Sequence, residues 1–185
     1  MRIGITGSLS SGKSLVAKIL SNKKDILFSA DKVVKKLYTS KKFKKMISKK
    51  FKLKTNNIKQ EIKKKLLNKK ISLKELGKII HPAVRKEMIA FSKKKQNKNV
   101  ILFEIPLLIE SKLMKFFDAT ILVIAPKKIR IKRYLKNGGD RRMFNLLDKN
   151  QMSQRKKLNY CDYLIVNNNS KNVLKKRITD IIRDS

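Results

Sequence analysis

Gly7-Ser-Leu-Ser-Ser-Gly-Lys-Ser14 fits the spacing G-x-x-x-x-G-K-[ST]. A loop of this length between a strand and a helix points successive backbone N–H groups into one concavity, where they and the helix dipole hold a triphosphate. The flanks agree with that geometry. Met1-Arg-Ile-Gly-Ile-Thr6 is a short, mostly apolar run suited to a buried parallel strand, and Ser14-Leu-Val-Ala-Lys-Ile-Leu20 carries apolar residues at helical spacing. Gly7, Ser10, Ser11, Gly12, Lys13, Ser14 and Leu15 are therefore the expected nucleotide-binding residues. The glycines permit close approach, Lys13 reaches the β- and γ-phosphates, and the Ser14 hydroxyl completes the shell of a Mg²⁺ ion. ATP and Mg²⁺ are the expected cofactors.

Four more segments read as strands. Ile26-Leu-Phe-Ser29 leads into Ala30-Asp31 and delivers a carboxylate at its carboxyl end. Asn99-Val-Ile-Leu-Phe-Glu-Ile-Pro106 and Ala119-Thr-Ile-Leu-Val-Ile-Ala125 are buried runs, each stopped by a proline, and Asp162-Tyr-Leu-Ile-Val166 ends in an asparagine turn. Residues 32 to about 91 carry a helical signal, with Val33, Val34, Leu37 and Tyr38 on one face, then Phe43, Met46 and Ile47, then Ile58, Ile62 and Leu66. Helices are also expected over 127–135 and 171–182. Strands separated by helical connections give an α/β fold: a five-stranded parallel sheet flanked by helices, with ligands beyond the carboxyl ends of its strands.

Composition limits the remaining classes. A single domain over 1–185 is expected, because no Pro/Gly/Ser-rich stretch divides the chain and 41% hydrophobic content supports a buried core. No apolar run approaches the ~20 residues that cross a bilayer, and the first residues read as a strand instead of a signal peptide, so a cytoplasmic protein with no membrane partner is expected. The single Cys161 reads as a small core residue. A net charge of +36 suggests a nucleic-acid binder, but the lysines are spread over nearly every expected helix and form no single stripe. Arginine is more selective: only nine of the 49 basic residues are Arg, and five of them (Arg130, Arg133, Arg141, Arg142 and Arg155) fall within one stretch. Clustered guanidiniums suit bidentate contact with phosphate, and Arg133, Arg141 and Arg155 are expected to grip phosphates from a closing lid. Solvated helix faces are the competing reading. Arg141 and Arg142 point different ways on a helix, so one is expected to matter, Arg141 in preference.

The guanine-selecting motif N-K-x-D is absent, and 185 residues leave little room for motor machinery, which favours a small-molecule kinase. Such an enzyme excludes water with an acceptor-binding insertion and an arginine-bearing lid. At this point the chain resembles the dephospho-coenzyme A kinase family, which is nucleoside-monophosphate-kinase-like in fold. The phosphate loop is similar to that family's G-G-x-G-S-G-K-S, Ser29-Ala30-Asp31 to its D-A-D, Ile80-His81-Pro82-x-Val84 to its I-H-P-x-V, and Pro106-Leu-Leu-Ile-Glu110 to its P-L-L-x-E. Lys132-Arg133, Gln151-x-x-x-Arg155 and Asp162-Tyr-Leu-Ile-Val-Asn167-Asn168 resemble its basic lid and last strand. The resemblance implies transfer of the γ-phosphate of ATP to the ribose 3′-hydroxyl of dephospho-CoA, with residues 1–31 and 99–185 as core, 32–98 as acceptor-binding insertion and 136–157 as lid. It implies that Asp31, Lys13 and Arg141 are catalytic, Asp31 as the acceptor's base, and that His81, Pro106, Leu107, Leu108 and Glu110 bind the acceptor. The residues themselves leave alternatives open: His81 before a proline fixes a turn, the leucines pack the core, and Glu104 supports a metal or caps a loop. Phosphorylation of nucleoside monophosphates and ATP-dependent nucleic-acid binding remain competing functions. Ser8, Ser10 and Ser29 depart from the family pattern; a serine needing positive φ carries strain of order 1 kcal/mol.

Overall fold

The computed structural model describes residues 1–21, 26–54 and 57–183. The chain divides into two compact units, 1–29 with 91–185, and 30–90.

In the first unit, β1 (Arg2–Gly7), β2 (Leu27–Ser29), β3 (Ile101–Glu104), β4 (Ala119–Ile124) and β5 (Tyr163–Val166) form one sheet in the order β2-β3-β1-β4-β5. Every pairing is parallel. The fold is therefore the expected five-stranded parallel sheet. The central apolar runs become strands because both faces are covered, while Tyr163 and Leu164 of the edge strand β5 stay exposed. On one face Ile5, Leu102, Ile121, Val123 and Ile165 pack with Val16 and Ala17 of α1 (Lys13–Leu20) and with Leu174 and Ile178 of α9 (Lys171–Arg183). Side chains alternate along a strand, so Phe103 faces the other way, where it meets Phe28, Phe91 and Phe117 at ring-centroid distances of 5.7, 5.9 and 5.3 Å. Each fully buried apolar side chain of this kind contributes about 1.5–3 kcal/mol.

β1 is central, with β3 on one side and β4 on the other, so its carboxyl end is where connections diverge and a crevice opens. The chain's phosphate loop sits at that end. The remaining helices of this unit are α6 (Lys127–Lys136), α7 (Arg141–Lys149) and the short α8 (Gln154–Leu158). Cys161 departs from its expected place in the core: it is only half-buried, and burial pushes its thiol pKa up.

The second unit holds α2 (Ala30–Leu37), α3 (Lys41–Phe51), α4 (Ile58–Leu67) and most of α5 (Leu73–Lys94). Phe43, Ile47 and Phe51, then Ile58, Ile62 and Leu66, recur at i, i+4 and i+8 and are buried, while the lysines between them face water. α3 begins at Ser40, which accepts from Phe43 N–H. α5 begins with a reciprocal pair in which Ser72 N–H donates to Glu75 and Glu75 N–H donates to Ser72 Oγ.

The turn left open as an alternative reading of His81-Pro82 does not occur, and the helical signal expected over 32 to about 91 runs through it. Pro82 lies inside α5. An interior proline costs about 3 kcal/mol through its missing donor and ring clash. Helical turns bearing the buried Gly77 and Met88 flank the proline on either side. Gly77 leaves room for the His81 ring, which a Cβ there would meet at 3.0 Å. Among the described residues no helix is long and apolar enough to cross a membrane.

Candidate active site

Two glycines shape the loop between β1 and α1. Gly7 has φ +149° and a Cβ on it would lie 2.2 Å from the Val123 carbonyl oxygen; Gly12 has φ +97° and a Cβ there would lie 2.0 Å from Asn167 Nδ2. No other residue fits either position. Ser10 adopts φ +58°, so one of the two serines that replace loop glycines sits in the left-handed region where a side chain is strained. Ser11 N–H donates to Ser8 O at 3.1 Å, which closes the turn.

Lys13 is only 6% exposed and its Nζ donates to Ser8 O at 2.9 Å, folded back along the loop. Ser14 Oγ donates to Glu104 Oε1, and Ser29 Oγ donates to Glu104 Oε2 at 2.8 Å. The strand register explains this pairing, since β2 and β3 put Ser29 opposite Glu104. Glu104 is 3% exposed. A carboxylate so buried, holding the hydroxyl of the loop serine, offers the hard oxygen donors a Mg²⁺ ion takes. Leu15 is committed elsewhere: its N–H donates to Gly12 O at 3.0 Å and its side chain packs against the core.

The arginines divide into two kinds. Arg133 turns its fork onto the protein, Nη1 donating to Ser11 O at 3.3 Å and Nη2 to the backbone O and Oδ1 of Asn167 at 3.1 and 3.3 Å. Burial lowers its pKa. Arg141 and Arg155 are exposed, and neither side chain has a hydrogen bond or ion pair among the described residues. Arg141 and Arg142 occupy the first turn of α7, capped by Asp140, which accepts from Met143 N–H at 2.8 Å.

After β3, the Pro106 carbonyl accepts from Thr6 Oγ1 at 3.1 Å and from Lys157 Nζ at 3.2 Å. Lys157 has no exposed surface and pairs with Glu110 Oε1 at 2.9 Å, the same oxygen that accepts from Met152 N–H. Pro106 and Leu107 are half-buried, whereas Leu108 is wholly buried, and a Cβ on Gly4 would collide with its Cδ1. Sequence reasoning missed the roles of Arg130, Gln151, Asn167 and Lys157. Only the scarcity of arginine in a Lys-rich chain pointed toward Arg130.

Asp31 and His81 belong to the second unit. Asp31 is exposed in the first turn of α2, where the helix dipole favours an anion. His81 lines an open concavity of about 700 Å³ along α5 together with Lys74, Lys78, Pro82 and Arg85. Its pKa lies below the usual histidine value, first through burial and then through the Arg85 charge.

An all-parallel five-stranded sheet with a phosphate loop after its central strand, its lysine and serine in place and a buried acid on the adjacent strand, defines a P-loop kinase. The solved structure of dephospho-CoA kinase from Campylobacter jejuni shares this fold at a TM-score of 0.66 and 23% identity, covering 99% of this chain and 96% of that one. The chain belongs to the dephospho-CoA kinase family, whose model matches residues 1–172. It is 32% identical over 186 residues to the dephospho-CoA kinase of Rickettsia typhi, covering 100% of this chain and 97% of that protein. With the Fusobacterium nucleatum enzyme of the same name it shares 33% identity over 184 residues, 96% of this chain and 95% of the relative.

Proposed function

We propose that this chain transfers the γ-phosphoryl group of ATP to the ribose 3′-hydroxyl of dephospho-CoA in the cytoplasm. The observation that carries the reading is the buried Glu104 holding the Ser14 hydroxyl beside a loop whose two glycines admit no side chain. Backbone donors of the loop and the α1 dipole bind the triphosphate, and Lys13 neutralises charge that grows on the transferred group. Mg²⁺ would be held by Ser14, supported by Glu104, and would supply charge neutralisation to the phosphates.

Asp31 orients the acceptor hydroxyl and takes its proton as the O–P bond forms. The unit 30–90 binds the acceptor, and the cations beside His81 on α5 suit its pyrophosphate. Arg141 and Arg155 act from the 136–157 lid. Arg141 stands in the first turn of α7, exposed beside the Asp140 cap, where its fork is free to meet phosphate oxygens. Attraction of nucleic acid is general to a +36 chain and falls steeply with salt. The test is ADP formation with dephospho-CoA, AMP, CMP and dTMP as acceptors. Turnover with dephospho-CoA far above the rest is expected; preference for a monophosphate would overturn the reading in favour of a nucleoside monophosphate kinase.

A further inference from the structure

Leu9, at the tip of the phosphate loop, has both backbone polar groups taken by side chains far away in sequence. Its N–H donates to Gln151 Oε1 at 2.8 Å and its carbonyl accepts from Arg130 Nη1 at 3.2 Å. Arg130 is itself fixed. It is 5% exposed, donates through Nε to Ala125 O at 3.2 Å and through Nη1 to Asp148 Oδ1 at 2.6 Å, and lies 5.6 Å from the Phe144 ring centroid.

The loop's other outward carbonyls are held in the same manner. Ser8 O accepts from Lys13 Nζ, and Ser11 O accepts from Asn167 Nδ2 at 2.9 Å as well as from Arg133. In a trans peptide the C=O of one residue and the N–H of the next point in opposite directions. Holding Leu9 O on the Arg130 side therefore turns Ser10 N–H to the opposite side, and holding Ser11 O does the same for Gly12 N–H. The clamp on Leu9 also lies directly before the strained Ser10, where a loop without external support would relax.

We propose that Gln151 and Arg130 are positioning residues: Gln151 holds the N–H of the Ser8–Leu9 peptide and Arg130 the C=O of the Leu9–Ser10 peptide, and by fixing Leu9 from both sides they set the plane that presents Ser10 N–H to the phosphates. Gln151 leads into α8, so the segment bearing Arg155 is tied to the loop tip. The inference rests on the phosphate-binding reading of the loop. Neither residue touches the reacting atoms; each acts through loop geometry.

The test uses the full chain with Gln151→Leu, which removes the acceptor, and Gln151→Glu, which keeps one. ATP affinity is measured by calorimetry, and exchange of the Leu9 amide by NMR on leucine-labelled protein. Gln151→Leu is expected to weaken ATP binding about threefold to tenfold, the range for loss of one hydrogen bond. Leu9 exchange should accelerate while the β1 amides stay as in the parent and the melting midpoint falls by no more than about 1–6 °C. Gln151→Glu should restore Leu9 protection, which a general loss of packing would not do. If Gln151→Leu does not fold, Gln151→Asn, one methylene too short to reach, is read in the same way. Parental ATP affinity in the variant, or unaltered Leu9 exchange, overturns the clamp. A parent chain that binds no ATP overturns the phosphate-loop reading instead.

Discussion

Replacing Lys157 by Met keeps the length of a side chain that has no exposed surface and deletes the cation paired with Glu110 at 2.9 Å. Three groups are affected. The Pro106 carbonyl keeps Thr6 Oγ1 as a donor, and Glu110 Oε1 keeps Met152 N–H, but Glu110 Oε2 is already buried without a hydrogen-bond partner among the described residues. Removing one partner of a buried pair costs about 3–5 kcal/mol, and the 19% exposure of the Glu110 side chain lets water recover part of that, so about 2–4 kcal/mol is expected. In a chain of this size each kcal/mol lowers the melting midpoint by about 2–4 °C. Urea unfolding of the parent, Lys157→Met, Glu110→Leu and the double variant gives the coupling. The double variant should regain most of the lost stability, because apolar residues of similar volume replace a buried pair at little cost. A Lys157→Met variant within about 0.5 kcal/mol of the parent, below the ordinary scatter of surface substitutions, would refute the argument. Glu110 would then be available as an acceptor contact instead of an anchor for the Pro106 loop.

Three further outcomes follow from single residues. Ser10→Gly releases a left-handed serine at about 1–2 kcal/mol and adds backbone entropy of about 0.5–1 kcal/mol to the unfolded chain, so a small rise in the melting midpoint is expected, and a fall would mean that the loop needs the serine side chain. Arg141→Lys and Arg155→Lys keep the charge but lose the fork and should lower kcat/KM in steady-state assays, whereas Arg2→Lys, which alters an exposed pair with Asp118, should leave it at the parental value. His81 has a folded pKa below its unfolded value of 6.5, so the unfolded chain takes up the proton more readily; His81's contribution is intact above that pH and lost as pH falls through it toward the folded value. His81→Asn should flatten the stability profile in that window, as read by urea unfolding at several pH values.

All five strands were legible in the sequence as near-continuous apolar runs, which coverage on both faces explains for the central strands and not for the edge strand β5, where Tyr163 and Leu164 are exposed. The structure trims their ends, as at Ile101–Glu104 within the broader run 99–106. The order of those strands was not legible, since a buried valine or isoleucine carries no mark of its neighbour. At Pro82 the helical periodicity was a better guide than the proline, which lies inside α5. At the site, the loop residues announce themselves through spacing. The side chains that hold the loop do not, because Arg130, Gln151 and Asn167 lie more than 120 residues from the backbone atoms they bind. Backbone partners leave no residue signature at the receiving end. The scarcity of arginine did single out Arg133, and its fork is used on the Ser11 and Asn167 carbonyls in the structure described here.

The central claim is phosphoryl transfer to one hydroxyl, and the position of the new phosphate tests it most directly. Purified chain with ATP, Mg²⁺ and dephospho-CoA is followed by phosphorus and proton NMR, with Lys13→Ala and Asp31→Asn as controls. The account predicts a single phosphomonoester on the ribose 3′ oxygen, none with Lys13→Ala, and a rate lowered ~10²-fold or more with Asp31→Asn. Phosphate at another position, or ADP released to water with dephospho-CoA unchanged, would contradict it.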